Sequence, residues 1–212
     1  MNLIVLFQII TGLALIFCIF VFAKKLQVFN QLTRPVDLAQ PKGNIQKGLA
    51  YAYTLGMAPW SKESTRRHML SYVRGVIFHV GIFTGLATLI VSPWIGNLPA
   101  IIKIGLAIIS AVCALMGFIG FLARFVDPNL KALSTKDDYF AVLLVSLFIG
   151  VTGLWLIFPT LSALYYTIST VMLIYAPFSK IRHCIYFAYS RLFFGKFVGS
   201  RAVLPHSQQT AR

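Results

Sequence analysis

Five long apolar runs constrain this chain more than anything else in it, at about residues 3–23, 71–92, 100–122, 139–158 and 161–182. Each approaches the roughly 20 residues that a helix needs to cross a bilayer. In hydrocarbon every backbone N–H and C=O must find a partner within the protein, and a helix provides that within one segment. The expected fold is therefore an all-α integral membrane protein with five transmembrane helices. Composition agrees, since only 11% of residues are charged, against roughly 25% in soluble domains. The fifth run stays apolar from Cys184 to Ala188, so helix 5 is expected over 161–188. A single domain, 1–199, then holds all five helices. Residues 24–70 form a long polar loop between helices 1 and 2, and 200–212 form a tail.

The formal charge is +14. In a five-helix topology every Lys and Arg except Lys103 falls on the same side. Positive charge marks the cytoplasmic side, so the N-terminus is expected outside and the C-terminus in the cytoplasm. That asymmetry accounts for the charge without nucleic acid and adds attraction to anionic lipid. Residues 1–23 lack a basic leader and are followed by Lys24 and Lys25, the flanks of a retained helix rather than a signal peptide. Cys18, Cys113 and Cys184 are far apart with no CxxC, which favours small packing groups over disulfide or zinc.

Within the polar loop, residues 44–53 read as a short surface helix, and Ser61 as the cap of another running to Arg67. The loop is either a solvated connector or a docking surface for a cytoplasmic partner. In RFVDPNLKALSTKDDYF, Asp127-Pro128 reads as a helix stop, and Ser134 or Thr135 as the cap of helix 4.

Histidine inside an apolar run is costly and calls for a partner. The chain has four. His68 is expected at the interface and His206 in the tail, which leaves His79 in YVRGVIFHVGIFTGLATLIV and His183 in PFSKIRH. His79 lies about 12 Å inside helix 2, at 1.5 Å per residue, and His183 stands near the same end of helix 5. Pro177 is expected to kink helix 5 and reduce their offset. Two readings follow. Each imidazole hydrogen-bonds to a neighbouring helix, or the pair ligates haem iron from both faces. Gly75 precedes His79 by four residues, on the same face, and would leave room for a flat macrocycle; Gly85 lies somewhat off that face. Arg74, Lys180 and Arg182 are placed to meet haem propionates.

FHVGI and PFSKIRH, in this order and on these helices, resemble the ligand motifs of the cytochrome b (gamma) subunits of respiratory nitrate reductases, over residues 72–191. The resemblance implies that His79 and His183 are the iron ligands of a b-type haem. Family members carry a second haem nearer the outer face, whose ligands would fall near Leu89 and Tyr165 here. Neither is histidine, so one haem is expected, and the family's outer quinol site is not carried over. APWSKESTRRHMLSYVRGVIFHVGIF looks closer to the small cytochrome b subunits of heterodisulfide-reductase-like membrane complexes of sulfate reducers. That likeness implies a bacterial or archaeal cytoplasmic membrane and a cytoplasmic iron–sulfur partner resembling heterodisulfide reductase. It also implies further membrane subunits, a multihaem cytochrome c, and menaquinone as a candidate second ligand.

The sequence has no iron–sulfur CxxC set, no phosphate-cradling glycine loop and no paired buried carboxylates. The five acidic residues, Asp37, Glu63, Asp127, Asp137 and Asp138, all fall in or beside the loops of the basic side. The expected function is an electron-transfer subunit of an oxidoreductase complex, not catalytic alone, relaying electrons between the quinone pool and its iron–sulfur partner. Tyr72, Trp60 and Tyr186 are loose candidates for a quinone or lipid contact. The rival is a haem-free structural anchor.

Overall fold

The structure, a computed structural model, describes residues 3–32 and 39–204. Pro35, Asp37, His206 and most of the tail lie outside the described residues. All the regular structure described is helical. Five segments are long and apolar enough to cross a bilayer: Leu3–Gln31, Met69–Asn97, Ala100–Val126, Lys136–Ile157 and Pro159–Phe178. This is the architecture of a multi-pass membrane protein. The α-helices are α1 (Leu3–Gln31), α2 (Ile45–Tyr53), α3 (Glu63–Arg67), α4 (Met69–Val91), α5 (Ala100–Val126), α6 (Pro128–Leu133), α7 (Lys136–Ile157), α8 (Ser162–Tyr175) and α9 (His183–Ser200).

The structure falls into two compact units. The first is Met1–Lys24 with Val73–Arg182, and the second is Lys25–Tyr72 with His183–Arg212. One boundary between the units coincides with a departure in helix 5. Helix 5, expected over 161–188, stops at Tyr175, passes through two short turns at Ala176–Phe178 and Lys180–Arg182, and restarts as α9. Pro177 lacks the N–H that would continue the ladder, and Ser179 is extended. The amides released by the break are satisfied: Ile181 N–H donates to Ser179 Oγ at 3.1 Å and Lys180 N–H to Asp137 Oδ2 at 2.8 Å. A break with its own hydrogen bonds replaces the expected kink.

In the first unit, α7 is the central helix and buries residues along its length, among them Leu144, Phe148, Ile149, Thr152 and Trp155. It runs antiparallel to α5, with Gly153 against Ala107 and Ser110 near one end and Ser146 against Gly117 further along. Small residues let these backbones approach, as association within lipid requires. Gly81 and Gly85 bring α4 into the same packing. A Cβ on Gly85 would lie 2.8 Å from the Phe148 ring, and one on Gly81 would collide with Cys113. Helices α1 and α8 run parallel and share polar contacts. Gln8 donates to the Tyr166 hydroxyl at 3.0 Å, and the Thr11 and Thr170 hydroxyls meet at 2.9 Å. Helix α7 opens with the expected Thr135 cap as a capping box, Thr135 N–H donating to Asp138 Oδ2 at 2.8 Å. Asp127 ends α5, as expected, and also caps the short helix α6.

In the second unit, α2 lies antiparallel on α9. Asn44 caps α2, accepting from Gln46 and Lys47 N–H at 2.8 and 3.2 Å, so the short helix expected over 44–53 is present. The contact is glycine on glycine. A Cβ on Gly199 would sit 2.6 Å from Asn44 O, one on Gly195 2.9 Å from Leu49 Cα, and one on Gly48 would collide with the α9 backbone. Lys42 and Gly43 N–H both donate to Ser200 O, at 2.8 and 3.1 Å, and Tyr53 OH donates to Ala188 O at 2.7 Å. Helix α9 closes in a Schellman turn: Val203 N–H donates to Val198 O, Ala202 N–H to Gly199 O, and Ala202 takes a left-handed φ of 54°. The expected Ser61 cap is not formed. Its hydroxyl donates to the Ala58 and Gly56 carbonyls, and α3 starts after Lys62 with no side-chain cap.

Candidate functional site

His79 sits on α4 in the first unit, on an exposed side of the helix. Its Nδ1 lies 2.7 Å from the carbonyl of Gly75, one turn earlier. A carbonyl oxygen only accepts, so Nδ1 carries the proton of this bond, and in a neutral ring the lone pair then lies on Nε2. That is the ligating tautomer, with the ring angle held by a backbone bond as metal-binding histidines commonly have it. The expected role of Gly75 as a neighbour of His79 thus acquires a second part, through its carbonyl.

Gly75 differs from the glycines further along α4. A Cβ on Gly81 or Gly85 would strike a neighbouring side chain, whereas a Cβ on Gly75 would meet nothing within 4 Å. Packing within the chain explains the first two and leaves Gly75 open. The open surface beside the His79 ring is what a planar group lying against α4 would require. Gly85 is taken by Phe148 and is not available to such a group.

The cations expected to hold propionates have different surroundings. Arg74 lies over Gly120 of α5, its Nε 3.5 Å from where a Cβ would be. Arg182 is exposed at the end of the same unit. The Lys180 ammonium is bound to Asp138 Oδ2 at 3.0 Å, beside Tyr175, whose hydroxyl donates to Asp137. Lys180 therefore belongs to a clamp between the start of α7 and the break after α8. The two histidines fall in different units. His183 is the first residue of α9, exposed, immediately after the break.

The positions where a further haem ligand would be sought are packed. Leu89 is 5% exposed and Tyr165 is fully buried, its ring stacked on Trp155 at 4.2 Å and 4°. Among the described residues no three His, Cys, Asp or Glu side chains converge on one point. Two imidazoles alone do not complete an iron coordination sphere; a macrocycle supplying the equatorial nitrogens does. The donor type, the His79 tautomer and the open Gly75 surface fit such a group.

Of the aromatic candidates, Tyr72 donates its hydroxyl to Met57 O, Tyr186 packs on Phe29 at 5.4 Å, and Trp60 is 66% exposed. Sequence reasoning missed the α2–α9 contact, although Gly195 and Gly199 form a small-xxx-small pair. No family model, curated protein or solved structure matches this chain.

Proposed function

We propose that this protein is the membrane electron-transfer subunit of a respiratory oxidoreductase complex and that it holds one b-type haem through His79 and His183. The observation that carries the reading is the Nδ1–Gly75 bond, which presents Nε2 of His79 as a ligand on an open helix surface. Bound there, the haem would supply one-electron chemistry. The chain's residues do the rest. The Gly75 carbonyl fixes the His79 ring. Arg74 and Arg182 offer positive charge to carboxylates. The apolar span around His79 keeps water from the metal ligand, which raises the importance of that charge. Lys180 acts at one remove, because its bond to Asp138 fixes the turn that precedes His183.

In this reading the N-terminus is outside, the basic loops face the cytoplasm of a bacterium or archaeon, and a cytoplasmic iron–sulfur protein docks on them. Electrons pass between that partner and menaquinone or another quinone. Further membrane subunits and a multihaem cytochrome c complete the assembly. Pyridine haemochrome quantitation of the purified protein tests the reading, with about one b haem per chain expected.

One observation favours a second reading. The Nδ1–Gly75 bond also satisfies His79 within its own helix, with no ligand, as a haem-free anchor would need. A colourless preparation of intact fold would select the anchor.

A further inference from the structure

The second unit carries an open groove of about 440 Å³ along α9. Leu26, Tyr53, Ile185, Ala188 and Leu192 line much of it. The lining is almost wholly apolar, and the Tyr53 hydroxyl is already committed to Ala188 O. Leu26 belongs to the last turns of α1, the helix whose earlier residues form the first candidate span.

A cation stands on α9 beside the groove's lining, three residues after Ala188. Arg191 adjoins Leu192 in sequence, and its guanidinium stands over the Phe187 and Phe194 rings at 5.3 and 6.0 Å. Lys62 is close enough to Arg191 that desolvation and then the Arg191 charge lower its pKa. Two cations brought together from distant parts of the chain repel each other unless an anion joins them. The carboxylate described in this unit, Glu63, is bound to Arg67. Phe193 and Phe197 are exposed further along α9, and aromatics interleaved with cations are the side-chain mixture of a membrane–water interface.

We propose that this groove seats an acyl chain of an anionic phospholipid whose phosphate is taken by Arg191 and Lys62. An acyl chain needs an apolar channel that opens sideways and asks for no hydrogen bonds. The phosphate needs two cations at the channel's edge. A zwitterionic lipid brings its own cation to that edge and gains less. The lipid ties the end of α1 to α9.

Native mass spectrometry of the full chain, delipidated and then titrated with dioleoyl-phosphatidylglycerol or dioleoyl-phosphatidylcholine, tests this. Phosphatidylglycerol should bind more tightly by about tenfold or more, and Arg191→Gln and Lys62→Gln should each weaken it about fivefold. Ala188→Trp, which fills the groove and keeps both cations, should also abolish the preference. Lys47→Gln, which removes the same charge from an exposed part of α2, should leave it unchanged. Equal binding of the two lipids would overturn the proposal, as would an equal loss in Lys47→Gln. Full competition by glycerophosphoglycerol or inorganic phosphate, which have no acyl chains, would reduce the site to an anion site and overturn it too. Circular dichroism of each variant separates loss of lipid from loss of fold.

Discussion

The two units solve the same problem, holding helices together, with different means. The first buries apolar side chains around α7 and uses glycine on α4 where side chains from α5 and α7 must enter, as at Gly81 and Gly85. The second has little to bury. Its buried residues on α9 are Gly195, Val198 and Gly199, and on α2 Gly48 and Ala52. It brings two backbones together instead and ties their ends with main-chain hydrogen bonds from Lys42 and Gly43 to Ser200. A bundle of side chains tolerates local loss, because neighbours share the area. A backbone-to-backbone contact has no slack.

The largest expected effect follows from that contrast. Gly48→Leu should separate α2 from α9 at a cost of about 3 kcal/mol or more, since the new side chain would have to occupy the α9 backbone. Hydrogen exchange should show α2 and α9 losing protection while α5 and α7 keep theirs. If both units lose protection together, they are one cooperative block and the comparison fails.

A pair of substitutions on one helix sharpens it. Gly81→Ala should cost about 2 kcal/mol through collision with Cys113. Gly75→Ala should cost nothing in packing and stabilise α4 by about 0.5–1 kcal/mol, because its Cβ enters open space. Thermal melts in one detergent compare the two. Equal losses would mean that Gly75 is also a packing glycine.

Ala202 pays about 1 kcal/mol for its left-handed backbone, so Ala202→Gly should stabilise the α9 end by about that amount. The gain should appear as slower exchange at Ser200 to Val203. Thr11→Val removes the contacts of its hydroxyl with Tyr166 and Thr170 and should cost about 0.6 kcal/mol in the first unit. A loss well above that would make the polar contact between α1 and α8, rather than side-chain packing, the main tie of α1.

The five spans were legible because hydrocarbon length and backbone satisfaction leave few options for runs of this kind. The Thr135 cap was legible because a capping side chain acts within a few residues of itself. What sequence did not reveal depends on distant residues. Gly48 and Gly195 meet from opposite ends of the chain, and nothing local marks them as partners. The break after Tyr175 was also hidden. The apolar character of Cys184 to Ala188 reads as a continuing span, and only Asp137, far upstream, supplies the acceptor that stabilises the turn at Lys180. The same distance effect gives Lys180 its ion pair with Asp138. For the candidate site, sequence indicated the residue types and the glycine. The tautomer of His79 came from the carbonyl it faces.

The most direct test of the central claim is a dithionite-reduced minus oxidised spectrum of the wild-type protein, His79→Ala and His183→Ala at matched concentration and proven fold. Haem held between the two imidazoles predicts a b-type difference spectrum in the wild type that is lost in both variants. A spectrum unchanged in either variant would contradict the ligand pair, and a wild type without one would leave this chain as a structural anchor.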